Sequence, residues 1–522
     1  MTLRCALANG AWVASSLPAT RAFVAGFDRV AEAQESILLR IVRRNADTSF
    51  GREHGFSSIR SIRDYASCVP LRTYEEFVSY VSRIESGEAN VLTSSPVDHF
   101  EPTSGSSGPS KLIPYTRHLR EEFGRAIGPW IGSLAMRTPR AFLGHSYWSL
   151  SPIATPRRMT SGGVRIGFER DDEYLGSVRG WLARAVQAVP ASAVQQADIE
   201  ESRRATLQHL LRCRSLSLIS VWHPSFLLRL VEPVRDPATA WPHLAAISCW
   251  SDAGSSLAAS EVARLFPQAR IEAKGLLSTE GIVSIPFDGA HMLAYRSHYY
   301  ELQPLDGGEP MPAAEASSGR QYRVILTTGG GLYRYATGDV VEVTEFRGQC
   351  PSLRFVGRAD RVSDHFGEKL NEIFVRERLE RALAECGVIA RFALVTCDRR
   401  AASGKYTLLL ETDASDAGLA RVAIRLEGLL RESFHYDYCR RLGQLEPLDS
   451  VRVPDGSAAR HLSALAAQSH QRLGDIKPPL LDTAGNGLEF AGAMRNPSIF
   501  STKNAFTPGA SSNSRIEWLG IG

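Results

Sequence analysis

Within residues 29–44 (RVAEAQESILLRIVRR) apolar side chains fall at Val30, Ile37, Leu38 and Ile41, a spacing that gives a helix one face to lay on a larger body. Further along, short apolar segments at 141–150 (AFLGHSYWSL), 216–223 (LSLISVWH), 244–250 (LAAISCW) and 269–277 (ARIEAKGLL) read as buried strands. They are spaced by helical stretches such as 255–266 (SSLAASEVARLF), and that alternation predicts an α/β fold with layered sheets and helices. Residues 321–346 are rich in β-branched and aromatic residues broken by glycines, which predicts strands joined by tight turns.

The texture changes near residue 358. A helical face of Val375, Leu379, Ala382 and Leu383 stops at Gly387, strands are expected at 388–398 and 405–412, and a helix near 418–434. This α-β-β-α order predicts a small α+β domain. From residue 486 the chain is rich in Gly, Ser, Asn and Pro without periodicity, which reads as a loosely attached tail. The expected division is therefore 1–357 as a large N-terminal domain, 358–485 as a small C-terminal one, and 486–522 as tail.

Composition narrows the function classes. With 522 residues, 43% hydrophobic, 22% charged and a net charge of +4, the chain has globular balance and no basic run of the kind that binds nucleic acid or an anionic membrane. Eight scattered cysteines without a CxxC pair point to a reducing, cytoplasmic setting. The opening apolar run is interrupted by Asn9, Gly10 and two serines, which argues against a signal peptide, and no stretch is long enough to cross a bilayer. Oligomeric state is left open.

The segment with most chemistry in it is TSGSSGPSK, Thr103 to Lys111. Four hydroxyl residues and two glycines within its first six positions, Thr103, Ser104, Gly105, Ser106, Ser107 and Gly108, let backbone N–H groups approach an anion while the hydroxyls and Lys111 add donors and charge. The composition is that of a phosphate cradle, although a Ser/Gly surface loop would look similar. The spacing does not fit the Walker pattern, so a P-loop enzyme is disfavoured. No serine lies in a GxSxG elbow, and no cysteine has a nucleophile's surroundings.

TSGSSGPSK resembles the phosphate-binding motif of adenylate-forming enzymes, and its neighbours resemble the Gretchen Hagen 3 family of acyl acid–amido synthetases. These neighbours are FGREHGF (50–56), VPLRTYEEF (69–77), SYWSLSP (146–152), LLSTEG (276–281), LYRYATGDVVEV (332–343), RFVGRADRVSDHFGEKLNE (354–372) and GDIKPP (474–479), in the family's order. The resemblance implies ATP and Mg2+ as cofactors, a small carboxylic acid and an amine, such as an amino acid, as substrates, and a mobile C-terminal domain. Acyl transfer to coenzyme A, or a noncatalytic acid- or nucleotide-binding relative, are the alternatives.

By the same resemblance Glu280 holds the metal, Thr279 bonds the α-phosphate, Arg358 reaches the nucleotide beside a hinge through Asp360, and Lys477 swings in as the adenylate forms. A single carboxylate beside phosphates suits Mg2+, which prefers to keep phosphate oxygens and waters. Asp339 in YATGD offers both oxygens to ribose hydroxyls. The adenine walls fall at Ala253 and Gly254 on one side and Leu276 on the other, where the family often has a tyrosine. His145, Tyr147 and Trp148 fall where the family lines its acyl pocket. With Trp222, Phe226 and Trp250 they suggest an aromatic or apolar acid, although such residues also build ordinary cores.

Overall fold

The structure, a computed structural model, describes residues 3–103, 111–149, 158–167, 182, 185–190, 193, 199–252, 255–398, 404–469, 479–483 and 487. The helix expected at 29–44 forms over Val30–Arg44 and buries Val30, Ile37, Leu38, Ile41 and Val42. Ahead of it, Leu3–Ala25 is also helical, through Pro18, where the sequence showed only an interrupted apolar stretch. Its apolar groups meet protein on more than one side: Trp12 packs on Phe142 and Trp148, and Phe23 on Phe287 and Tyr295. A helix covered in this way has no single apolar stripe to detect. It lies close to the long helix Arg117–Arg137, where a Cβ on Gly132 would stand 2.0 Å from the Thr20 hydroxyl.

Three sheets frame the N-terminal part. Strands His145–Trp148, Leu216–Ser220, Ala246–Cys249 and Arg270–Ala273 pair in that order, all parallel. LSLIS and AISC are buried at every position, the continuous apolar signature of a sheet covered on both faces. The second sheet has seven antiparallel strands and runs from Met311–Pro312 through Tyr299–Pro304, Gln321–Thr327, Tyr335–Arg347, Cys350–Arg358 and Ala290–Leu293 to Ser284–Phe287. In the third, Val97–Thr103 pairs antiparallel with Lys111–Thr116 and parallel with Arg165–Ile166, which in turn pairs with Arg158–Met159.

After Arg358 a separate apolar core gathers residues from Leu370 to Leu481. The helix Glu372–Cys386 ends at Gly387 in the left-handed conformation, and strands Phe392–Asp398 and Gly404–Glu411 and helix Asp416–Leu430 follow as expected. The α-β-β-α outline is incomplete. Leu445–Arg452 adds a strand parallel to Gly404–Glu411, helix Ser457–Ser469 follows, and Leu481–Asp482 pairs with Phe392–Asp398. LEPLDSVR is an edge strand with only two fully buried positions, so it lacks the alternation that marks a strand in sequence. No helix among the described residues is long and apolar enough to cross a membrane.

Candidate active site

Thr103 and Lys111, the described residues that flank the Ser/Gly segment, face each other as a Cα pair at the end of their two strands. Ser104, Gly105, Ser106, Ser107 and Gly108 lie outside the described residues, as do Ala253, Gly254, Lys477 and, apart from Gly487, the tail from 486. Beside this pair the Lys111 ammonium is 3.4 Å from the Tyr335 hydroxyl and lies over the rings of Tyr74 and Tyr335. Tyr74 belongs to VPLRTYEEF. Its hydroxyl accepts from the Leu112 N–H at 2.6 Å and donates to the Leu112 carbonyl, fixing the first turn of chain after the lysine. Arg72 of the same motif bridges to Tyr335, locking the motif against the seven-stranded sheet.

Asp339 and Arg358 sit opposite each other on neighbouring strands of that sheet, close to the start of one and the end of the other. The guanidinium lies 3.3 Å from Asp339, donates to both Asp360 oxygens at 2.7 and 2.9 Å, and reaches the Thr337 carbonyl at 3.1 Å. Gly338, with φ +81°, makes room: a Cβ there would meet the guanidinium at 2.7 Å. Burial works against the Arg358 charge, but Asp339, Asp360 and Glu280 outweigh it and raise its pKa above the ordinary arginine value. The arginine is fully charged and poised among acceptors.

LLSTEG forms a narrow turn. Leu277 bridges Ile282, and the Ser278 N–H and hydroxyl both donate to the Gly281 carbonyl, leaving Thr279 and Glu280 half-buried at the tip. Tyr115, from the strand after the loop, donates to the Thr279 carbonyl at 2.6 Å and ties the turn to the loop's hairpin. Behind the turn, His298 accepts from the Ile282 N–H and contacts Glu122 at 2.8 Å, and Glu122 also accepts from the Gly329 N–H. Glu280 acts electrostatically on Tyr74, Tyr335 and Arg358, so its carboxylate lies on the side of the turn that faces those groups' field. Burial, with smaller contributions from Glu85, Glu280 and Glu75, pushes the Tyr74 hydroxyl up to about 12. Burial, then Glu280, raises that of Tyr335 further.

Lys111 touches Tyr335, and Glu280, Asp339 and Arg358 all act electrostatically on it, while Thr279 sits beside Glu280 at the tip of the turn. Leu276 is 4% exposed in the main core, with its N–H given to the Ser284 hydroxyl. The strand's alternation divides the expected acyl-pocket residues. Tyr147 packs into the core beneath the parallel sheet and His145 holds Ser215 at 2.8 Å, whereas Trp148 faces Trp12, Trp130 and Lys274. Burial lowers the His145 pKa, so that side chain is neutral near pH 7.

This arrangement pairs with a match along the chain. Residues 19–237 match the GH3 family N-terminal domain, and residues 291–358 the GH3 family central domain. The chain belongs to the GH3 family. A probable indole-3-acetic acid-amido synthetase of Oryza sativa subsp. japonica is 24% identical over 69% of this chain and 70% of its own length. An indole-3-acetic acid-amido synthetase of Arabidopsis thaliana is 24% identical over 83% of this chain and 90% of its own. The solved structure of the AtGH3.15 acyl acid amido synthetase in complex with 2,4-DB shares the fold, with a TM-score of 0.78 at 18% identity, covering 91% of this chain and 95% of that one.

Within this GH3 chain, sequence reading missed Tyr335, Tyr74 and the Glu122–His298 support. It also missed Lys274, the residue just before the GLLSTEG segment. The signal for Lys274 was present: a lysine inside an otherwise apolar strand-turn segment requires a reason to be buried.

Proposed function

We propose that this protein is an ATP-dependent acyl acid–amido synthetase. A carboxylate oxygen of a small acid attacks the α-phosphorus of ATP, the bond to the pyrophosphate oxygen breaks, and an acyl-adenylate forms. An amine nitrogen then attacks the acyl carbon, the bond to AMP breaks, the amine gives up a proton, and an amide is released. What carries the reading is the meeting of Lys111, Glu280, Asp339 and Arg358 around Tyr335, supplied by four separate segments of the chain. Family membership supports it, and the names of the relatives favour an acid of the arylacetic kind and an amide product.

Each residue has a task in this proposal. The loop from Thr103 to Gly108 and Lys111 hold the phosphates, Asp339 takes the ribose hydroxyls, and Arg358 moves from its aspartates to the nucleotide. Thr279 bonds the α-phosphate, with Leu276 and the Ala253–Gly254 segment as adenine walls. Mg2+ would neutralise phosphate charge when bound, and Glu280 is its protein ligand. The donor set fits, because Glu280 is a half-buried carboxylate at the tip of its turn, and Mg2+ bound through one carboxylate relies on phosphate oxygens and waters for the rest of its shell. Lys477 contacts the reacting carboxylate and α-phosphate from a C-terminal domain spanning 358–485, which rotates about Arg358–Asp360 between the two half-reactions.

ATP–pyrophosphate exchange, run across aromatic and aliphatic acids, tests this directly. Acid-dependent exchange is expected, with a loss of about a hundredfold or more in Glu280→Ala, the scale of removing one electrostatic stabiliser from a transition state. Equal exchange in that variant would remove Glu280 from the proposal.

A further inference from the structure

Lys274 follows the last strand of the parallel sheet and is 4% exposed. Its ammonium donates to the Ser220 hydroxyl at 2.7 Å and lies over three indole rings: Trp130 at 4.7 Å, Trp222 at 5.1 Å and Trp148 at 5.8 Å. Among the described residues no carboxylate lies within 4.0 Å of it. The carboxylate two residues upstream, Glu272, is engaged by Arg270 at 2.8 Å, Arg137 at 3.9 Å and Thr138 at 3.4 Å. The titratable group acting on Lys274 is the Cys249 thiol on the adjacent strand, itself pushed up to about 12 by burial and so neutral. Burial brings the lysine down to about 7. A buried cation with only a hydroxyl and ring faces around it is costly to the fold, and a cage of this kind is incomplete without an anion.

Its position says which anion. Trp148, Ser220 and Lys274 lie at the carboxyl ends of parallel strands, the edge at which α/β sheets bind ligands. Trp148 and Trp222 are half-buried, so the cage has an open rim, and Trp250 extends it 5.5 Å from Trp222. Lys274 also begins the hairpin segment whose tip carries Thr279 and Glu280, so cation and phosphate end are tied by one short length of paired chain.

Building on the adenylation reading above, we propose that Lys274 is the acid-binding cation of the site: it pairs with the carboxylate of the incoming acid, whose aromatic or apolar body lies against Trp148 and Trp222. The pairing offsets repulsion between the acid's anion and the ATP phosphates. It is lost when the carboxylate becomes an uncharged acyl group on the phosphate, so the contact belongs to acid binding and not to the adenylate.

The test uses the full chain, its Lys274→Met and Lys274→Arg variants, and phenylacetate, benzoate and hexanoate as probes. Tryptophan fluorescence reads binding without turnover, and pyrophosphate exchange reads adenylation. Lys274→Met is expected to weaken acid binding and raise the KM for the acid by about tenfold to a hundredfold, the size of a charge-assisted hydrogen bond, with the KM for ATP unchanged. Lys274→Arg, which keeps the charge, recovers part of the loss. Unchanged acid affinity in Lys274→Met overturns the inference. Binding that depends on Lys274 without exchange in the wild type supports the acid site and counts against the adenylation reading. No binding of any probe by the wild type counts against both.

Discussion

Arg334 is held at φ +45°, inside LYRYATGD, with its guanidinium bidentate on Glu301 at 3.0 Å and donating to the carbonyls of Ala66 and Val69. It forces the backbone bend that delivers Tyr335, the next residue, to Lys111. Arg334→Ala leaves Glu301 buried and unpaired, and is expected to cost about 3 to 5 kcal/mol in urea denaturation. Lys274 gives the opposite expectation. Its pKa in the folded protein, about 7, lies below the ordinary lysine value of 10.5, so the cost of burying its charge is fully present below pH 7 and fades as pH rises from 7 towards 10.5. Lys274→Met should therefore raise the Tm of the acid-free protein most at pH 6 and least near pH 10, which a melting series across pH checks. At this scale the motif residues Glu280, Asp339 and Arg358 could be singled out as candidates because their neighbours in sequence are characteristic. Lys274, Tyr335 and Glu122 were not, because their meaning lies in partners far along the chain.

Elements were legible where one side faces solvent and the other a core. The helix Glu372–Cys386 was readable to its stop, since a glycine after the last apolar position supplies the left-handed cap. Gly387 has φ +64° and open space around a would-be Cβ, so Gly387→Ala acts through backbone strain alone and is expected to cost about 1 kcal/mol, read as a lowered Tm without loss of exchange activity. The helix Leu3–Ala25 and the edge strand Leu445–Arg452 escaped, the first because protein covers it on several sides and the second because it buries too little to show a period. GEKLNE took on a structural meaning. Glu368 accepts from the N–H groups of His365 and Phe366, while Asn371 caps the helix and holds the Ala359 carbonyl beside the expected hinge.

At the scale of the molecule, the proposed cycle needs the C-terminal domain to bring Lys477 to the phosphates and then take it away. Lys477→Ala is expected to reduce pyrophosphate exchange by about a hundredfold or more while leaving ATP binding intact, with calorimetry measuring the second. Wild-type exchange rates in that variant would dismiss the lysine from the first half-reaction. Arg361 and Arg376 both grip Glu372 at 3.1 and 2.8 Å, so the chain just after Arg358 is pinned to the C-terminal helix, and rotation would have to be absorbed between Arg358 and Arg361.

The sequence alone determined the α/β class, the change of texture near residue 358 and the family, because these rest on local periodicity and on motifs whose residues are adjacent in the chain. Only the tertiary structure decided which motif residues gather around Tyr335, which face of the HSYW strand looks toward the cage, and that Lys274 is closed in by three tryptophans from distant parts of the chain. Burial and long-range pairing set those features, and neither leaves a period in the sequence.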